Sequence, residues 1–237
     1  GARDVAARRP DPDQASATDR QRRARRQRPH PAGAHPGQRD GREDAVRSCA
    51  EVGTGAAIVF ASGFAETGIA ERVAQQARLV ELARATGVRI VGPNSMGIVN
   101  CVSGARMTFQ SVIPPAPRTA RAIGLVSQSG ALGLGLAQAS ARGVPFSHVL
   151  TCGNSCDVDI ADLVDYLVDS PACNSIACNF EGMSAPLRLI RAAQRAWTVG
   201  KPLVVYKMAT GEQGSAAAAS HTGSLAGSHA MYRAALE

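Results

Sequence analysis

The chain has 237 residues, enough for one or two domains with a substantial core, and a formal net charge of +7. Of its 26 basic residues only Lys201 and Lys207 are lysines, and twelve arginines crowd into residues 1–47 against seven acids. The high pI therefore belongs to one end of the chain, where no aromatic residue interleaves with the arginines, which excludes nucleic-acid binding as the main reading; no apolar run approaches the roughly 18 residues of a membrane span.

Residues 1–44 contain no Ile, Leu, Met, Phe, Trp or Tyr and read as a disordered or non-native Arg/Pro-rich tail. No signal-peptide h-region is present, so a cytoplasmic protein is expected. The six cysteines are irregularly spaced, and neither Cys152 with Cys156 nor Cys173 with Cys178 gives the two-residue spacing of a zinc knuckle or redox motif. Cys101, Cys152 and Cys178 lie in or beside apolar runs and are expected as reduced, buried thiols, with no metal site.

From about Asp44 apolar runs alternate with helical patterns. Residues 56–61 read as a buried strand ending in the turn Ser62-Gly63. Residues 66–86 place Ile69, Val73, Ala77, Val80 and Ala83 on one helical stripe, stopped by Gly87. Residues 89–91 form the next strand, followed by Gly92-Pro93-Asn94-Ser95. Pro114, Pro115 and Pro117 mark a stiff joint, taken as the domain boundary. Beyond it, strands are expected at 122–126, 148–152, 175–180 and 202–206. The helices between them span 131–141 and 159–168, and a further one is capped by Ser184, with Leu187, Ile190 and Trp197 on a shared face. This alternation implies right-handed crossovers and a doubly wound parallel sheet of flavodoxin type.

In such a sheet ligands bind outside the carboxyl ends of the strands. Ser127-Gln128-Ser129-Gly130 follows one strand and opens a helix, a pattern that suits either a plain cap or an anion site. Asp157 and Asp159 precede a helix and read as charge–dipole partners. Glu181-Gly182 sits just past residue 180, a position that suits either a carboxylate orienting an imidazole or a solvated turn residue. After the last strand, Ser220-His221-Thr222-Gly223-Ser224 sets a histidine among small residues and donors, with room for a phosphoryl group on the imidazole. His30 and His35 lie in the tail, His148 starts a strand and His229 is expected on an exposed helix.

Taken together, Phe60-Ala-Ser-Gly-Phe-Ala-Glu66, Gly92-Pro-Asn-Ser-Met-Gly97, Ser127-Gln-Ser-Gly-Ala131, Gly153-Asn154 with Asp157-Val-Asp159, Glu181-Gly182 and Ser220-His-Thr-Gly-Ser-Leu-Ala-Gly227 resemble the NDP-forming acyl-CoA synthetases, relatives of the succinyl-CoA synthetase α subunit. The resemblance runs in order from about Asp44 to the C-terminus. It implies an α/β protein in which residues 45–117 are the C-terminal half of a Rossmann-like CoA-binding domain and residues 118–237 a flavodoxin-like domain with a phosphohistidine loop. It further implies conversion of acid, CoA and ATP to acyl-CoA, ADP and phosphate through a phosphohistidine. On that basis His221 is the phosphorylated residue and Glu181 orients it. Ser127, Ser129, Gly130, Gly223 and Ser224 hold phosphate, while Ser62, Gly63, Pro93, Asn94 and Ser95 line the CoA site. CoA, ATP/ADP and Mg2+ are the implied ligands, and the nucleotide would be handled by an ATP-grasp subunit or fused domain in an oligomeric assembly.

Departures from the family pattern are informative. No G-x-G-x-x-G occurs in residues 1–50, so the pyrophosphate cradle expected on the first Rossmann strand is missing or replaced by the arginine-rich tail, and the chain reads as N-terminally incomplete, its tail as frameshifted or mis-started sequence. Leu134 stands where succinate-using relatives carry a tyrosine, which favours a different acyl group. Two other readings remain at this point: a CoA- or acyl-CoA-sensing module of a protein acetyltransferase, and an inactive fragment.

Overall fold

A computed structural model describes residues 41–111, 114–117, 121–211 and 232–233. The described residues belong to one compact unit, and its elements follow from where the apolar runs and helix stops fall. Helix α1 (Gly41–Glu51) precedes strand β1 (Ala56–Ile58). A 3₁₀ turn at Ala65–Thr67, closed by Gly68 in the left-handed region, separates β1 from helix α2 (Ala70–Thr86). Strand β2 (Arg89–Val91) pairs with β1 in parallel, Ala56 opposite Arg89.

Strands β3 (Ile98–Asn100) and β4 (Ala105–Met107) make a hairpin. After the prolines come β5 (Ile123–Ser127), α3 (Gly130–Ala137), β6 (Phe146–Thr151), α4 (Ile160–Asp169), β7 (Ser175–Phe180), α5 (Pro186–Thr198) and β8 (Leu203–Lys207). The sheet order is β4-β3-β6-β5-β7-β8. Within it β6, β5, β7 and β8 are parallel, in the order second-first-third-fourth that defines the flavodoxin-type winding. The β3–β4 hairpin adds to β6 antiparallel, so the sheet is mixed. Sequence patterning did not reveal this hairpin, because three-residue strands are too short to show a period and every residue of β4 is exposed. The hairpin precedes the proline joint in sequence yet completes the sheet that follows it.

Alternate side chains of the parallel strands feed two cores. Val126, Leu150, Ile176, Cys178 and Phe180 pack with α4 and α5 on one face. Leu125, Val149 and Phe146 pack with Ala137 and Leu134 on the other. β5, β6 and β7 are covered on both faces, and their short apolar runs made them legible, whereas the edge strand β8 leaves Val204 and Tyr206 exposed. Fully burying each large apolar side chain of this kind contributes about 1.5–3 kcal/mol.

Three local expectations are corrected. Helix α2 starts at Ala70 and buries Gln75, Leu79, Leu82 and Ala83, leaving Ile69 and Val73 exposed. Helix α5 is preceded by Ala185, without a side-chain cap from Ser184, and starts with Pro186 in its first turn. It buries Leu189, Ala192 and Ala196, while Leu187 and Trp197 are 67% and 87% exposed. Both helices carry two apolar stripes, and the neighbour, not the helix, selects one: the small Ala192 and Ala196 allow α5 to approach the sheet closely. His148 lies inside β6, 2% exposed and edge-on to Tyr166 at 5.6 Å, and burial holds its imidazole below the ordinary pKa. All six cysteines are free, with Cys101, Cys152, Cys173 and Cys178 buried. Burial pushes the Cys152 and Cys178 thiols up to about 12.

Among the described residues, no helix is long and apolar enough to cross a membrane, and no group of three or more His, Cys, Asp or Glu could hold a metal ion.

Candidate functional site at the switch point of the sheet

The parallel winding reverses between β5 and β7, so the strand ends there open a crevice. Helix α3 begins at that point. Ser129 is its N-cap, its hydroxyl accepting from Leu132 N–H at 3.3 Å. Among the described residues no acceptor meets the Gly130 and Ala131 N–H groups, so this helix start combines positive dipole and free donors. Ser127, fully buried, lies beneath the turn; its hydroxyl contacts Ser129 O and donates to Asn179 Oδ1 at 2.7 Å. Asn179 is itself 2% exposed, and its amide N–H₂ has no partner among the described residues. This donor set is suited to an anion.

Glu181 and Gly182 follow β7 directly. Their backbone is pinned by Gln128, whose Oε1 accepts from Glu181 N–H at 2.7 Å and Gly182 N–H at 3.3 Å. The Gln128 Nε2 donates back to Gly182 O at 3.0 Å. On the neighbouring strand, Lys207 pairs in register with Phe180. Its ammonium is buried, donates to Met208 O at 2.6 Å and lies 5.7 Å from the Tyr232 ring. Burial pushes this ammonium below its ordinary pKa, and the Glu181 carboxylate opposes that shift. The chain's other lysine is structural, since Lys201 Nζ caps α4 by donating to the carbonyls of Leu167, Val168 and Ser170 at 3.1, 2.6 and 2.6 Å.

A second cluster joins the turn after β1 to the loop after β2. The loop of residues 92–97 is stitched to residues 151–156 by Asn154 N–H to Pro93 O at 2.9 Å, Cys156 N–H to Gly92 O at 3.0 Å and Thr151 N–H to Gly97 O at 3.1 Å. Ser95 is 1% exposed, and its hydroxyl donates to Thr151 O at 2.9 Å while accepting from Gly97 N–H. Pro93 is buried and Asn94 half-buried, its amide reaching Asn154 Oδ1 at 3.3 Å. Ser62 is exposed beside Gly63. The Gly63 and Phe64 N–H groups are already engaged, both donating to Glu66, at 2.5 and 3.1 Å. Asn154 Nδ2 donates to the same carboxylate at 2.5 Å. Although burial opposes its ionisation, these donors together hold the Glu66 carboxyl below its ordinary pKa.

Asp157 and Asp159 have structural partners. Asp157 accepts from Ile90 N–H at 2.8 Å and from Arg89 at 3.0 Å. Asp159 caps α4 in a reciprocal box with Asp162 and pairs with Arg188 at 2.9 Å.

Of the residues expected at the site, Ser127, Ser129, Gly130 and Glu181 meet at one crevice, and Ser62, Gly63, Pro93, Asn94 and Ser95 form the adjoining cluster. His221, Gly223, Ser224 and His229 lie outside the described residues. Leu134 packs partly buried against the Leu125 and Val149 core. Gln128, Asn154, Glu66 and Lys207 were assigned no role from sequence. The one signal that singles out Lys207 is the scarcity of lysine; Gln128 is conspicuous only as a long polar residue immediately beyond a strand buried on both faces.

Residues 120–237 match the family model described as the succinyl-CoA ligase like flavodoxin domain. The chain is 39% identical over 190 residues to the α subunit of acetate–CoA ligase [ADP-forming] II from Pyrococcus furiosus, covering 80% of this chain and 40% of that protein. It is 36% identical over 195 residues to a trans-feruloyl-CoA synthase from an unknown prokaryotic organism, covering 81% of this chain and 27% of the other. The fold matches the dinucleotide-forming acetyl-coenzyme A synthetase 1 of Ca. Korarchaeum cryptofilum, solved with phosphate and ADP, with a TM-score of 0.70 and 33% identity over 81% of this chain and 41% of that one. The chain therefore spans well under half the length of these relatives.

Proposed function

The chain belongs to the NDP-forming acyl-CoA ligases, and on that premise we propose that it is the CoA-binding and phosphoryl-relay part of such an enzyme. In this reading the γ-phosphoryl group of ATP passes to an imidazole nitrogen of His221, releasing ADP. It then passes to a carboxylate oxygen of the acid substrate, and the CoA thiol displaces phosphate from the resulting acyl phosphate. Each step exchanges one bond to phosphorus or carbonyl carbon for another, so the protein contributes placement and charge stabilisation.

The observation that carries the reading is the convergence, at the β5/β7 switch point, of the donor-rich start of α3 with a carboxylate held rigidly just beyond β7. Gly130, the Ser129 cap and the orphaned Asn179 amide suit a phosphoryl group. Ser127 acts from beneath by fixing that turn, and Gly223 and Ser224 add donors beside the histidine. Glu181 accepts the N–H of the His221 imidazole and so selects the tautomer that leaves the other nitrogen nucleophilic.

CoA lies along Ser62, Gly63 and Asn94, with Pro93 and Ser95 fixing the loop. The functional division falls at the proline joint, with CoA held by residues 45–117 and phosphoryl relay by 118–237. The nucleotide and its Mg2+ bind an ATP-grasp subunit or domain within an oligomeric, cytoplasmic assembly. The acyl group differs among the relatives, whose names specify acetate and feruloyl, and Leu134 favours one other than succinate.

Incubating the assembled ligase, this chain with its ATP-grasp portion, with γ-labelled ATP tests the reading. Acid-labile, base-stable label should appear on His221 and vanish in His221→Ala; label that survives this substitution would sink the assignment.

A further inference from the structure

Gln128 is 2% exposed and sits within the very turn that faces the anion site. Its backbone ties three strand ends together: its N–H donates to Asn179 O at 3.0 Å and its carbonyl accepts from Gly153 N–H at 3.1 Å. Its carboxamide makes both kinds of bond to the Glu181–Gly182 turn, accepting from two N–H groups and donating to one carbonyl. Only a neutral, planar side chain of this length supplies an acceptor and a donor together at that reach. Removing it would strand the buried Gly182 N–H and carbonyl and release the backbone from which Glu181 projects.

We propose that Gln128 is a positioning residue for phosphoryl transfer, coupling the anion-binding turn at the start of α3 to the placement of the Glu181 carboxylate. Movement of the α3 turn on receiving a phosphoryl group is transmitted by the same carboxamide to Glu181, and so to the imidazole that gives or takes that group. This inference rests on the functional reading above and adds a residue to it.

The test measures the rate of phosphoenzyme formation in the assembled ligase with γ-labelled ATP, for the parent, Gln128→Met, Glu181→Gln and the double variant. Gln128→Met should slow labelling about 100-fold, the scale set by loss of a catalytic positioning contact, and leave the KM for CoA within twofold. Because Gln128 acts through Glu181, the same substitution should cost less than threefold in the Glu181→Gln background. A folded Gln128→Met that labels within threefold of the parent overturns the proposal, as does a full 100-fold loss repeated in the Glu181→Gln background.

Should Gln128→Met fail to fold, Gln128→Glu carries the test. A protonated carboxyl can accept and donate as the amide does, so labelling by this variant relative to the parent should rise as pH falls from 8 to 6; a flat ratio overturns the proposal. Absence of any label in the parent overturns the functional reading and this inference with it, whereas label in the parent with undiminished label in Gln128→Met removes the inference alone.

Discussion

Glu66 shows how one residue serves as anchor and as sensor of acid. Its carboxylate takes the Gly63 and Phe64 N–H groups and the Asn154 amide, and these donors outweigh burial to keep its pKa below the ordinary value of about 4.3. A carboxyl depressed in the folded state stabilises the fold above its unfolded pKa, and that contribution is lost as pH falls through the folded one. Glu66→Gln should therefore cost about 1 kcal/mol at pH 7, measured by denaturant unfolding. The gap from the parent should start to close as pH drops below about 4.3; a gap that does not narrow with falling pH contradicts this account. The same carboxylate shapes the turn from within, so that Ser62 and Gly63 face the proposed CoA site with the Gly63 N–H already engaged; the motif around Gly63 shows the turn but not that Glu66 folds back onto it. Ser95 is a parallel case: its position in the motif was legible, whereas the turning of its hydroxyl onto Thr151 depends on a loop 56 residues away.

At the scale of elements, the carboxyl ends of β2 and β6 meet through two glycines. Gly92 has φ 110°, and a Cβ there would lie 2.5 Å from Val59 O. Gly153 has φ 56°, and a Cβ would run into the Pro93 and Asn94 carbonyl oxygens. Gly153→Ala should destabilise the protein by more than about 2 kcal/mol, since it combines backbone strain with a clash against immobile backbone. It should also weaken CoA binding by the assembled ligase, read by calorimetry, because Asn94 is carried on the displaced loop; unchanged stability and affinity would contradict the stitching described above. The parallel strands were readable because each carries a short apolar run bounded by turn residues. Helix faces were not: α2 and α5 each present two apolar stripes, and their neighbours in the sheet and in α1 and α4 made the choice. α1 itself gave no sequence signal, having Val46 as its one buried residue and an ion pair from Glu43 to Arg78 at 2.9 Å.

For the whole molecule, the charge that dominates the composition has little bearing on the site. Twelve arginines lie in residues 1–47, while the crevice is lined by helix N–H groups, the Glu181 turn and Lys207, one of the chain's two lysines. On the proposed reading, a relay that receives its phosphoryl group from a nucleotide held elsewhere should not turn over alone. The 237-residue chain supplied with acid, CoA and ATP should form no thioester until an ATP-grasp partner is added, and thioester formation by the pure chain would refute that division of labour. By itself the sequence determined the family, the α/β class and the succession of the parallel strands along the chain, because apolar runs, glycine stops and six ordered motifs are local features. Only the tertiary structure decided that the β3–β4 hairpin completes the sheet, which helix stripes are buried, and that Gln128, Asn154 and Glu66 hold the loops. Those outcomes depend on hydrogen bonds and packing between residues about 50 to 90 positions apart, whose pairing no local pattern encodes.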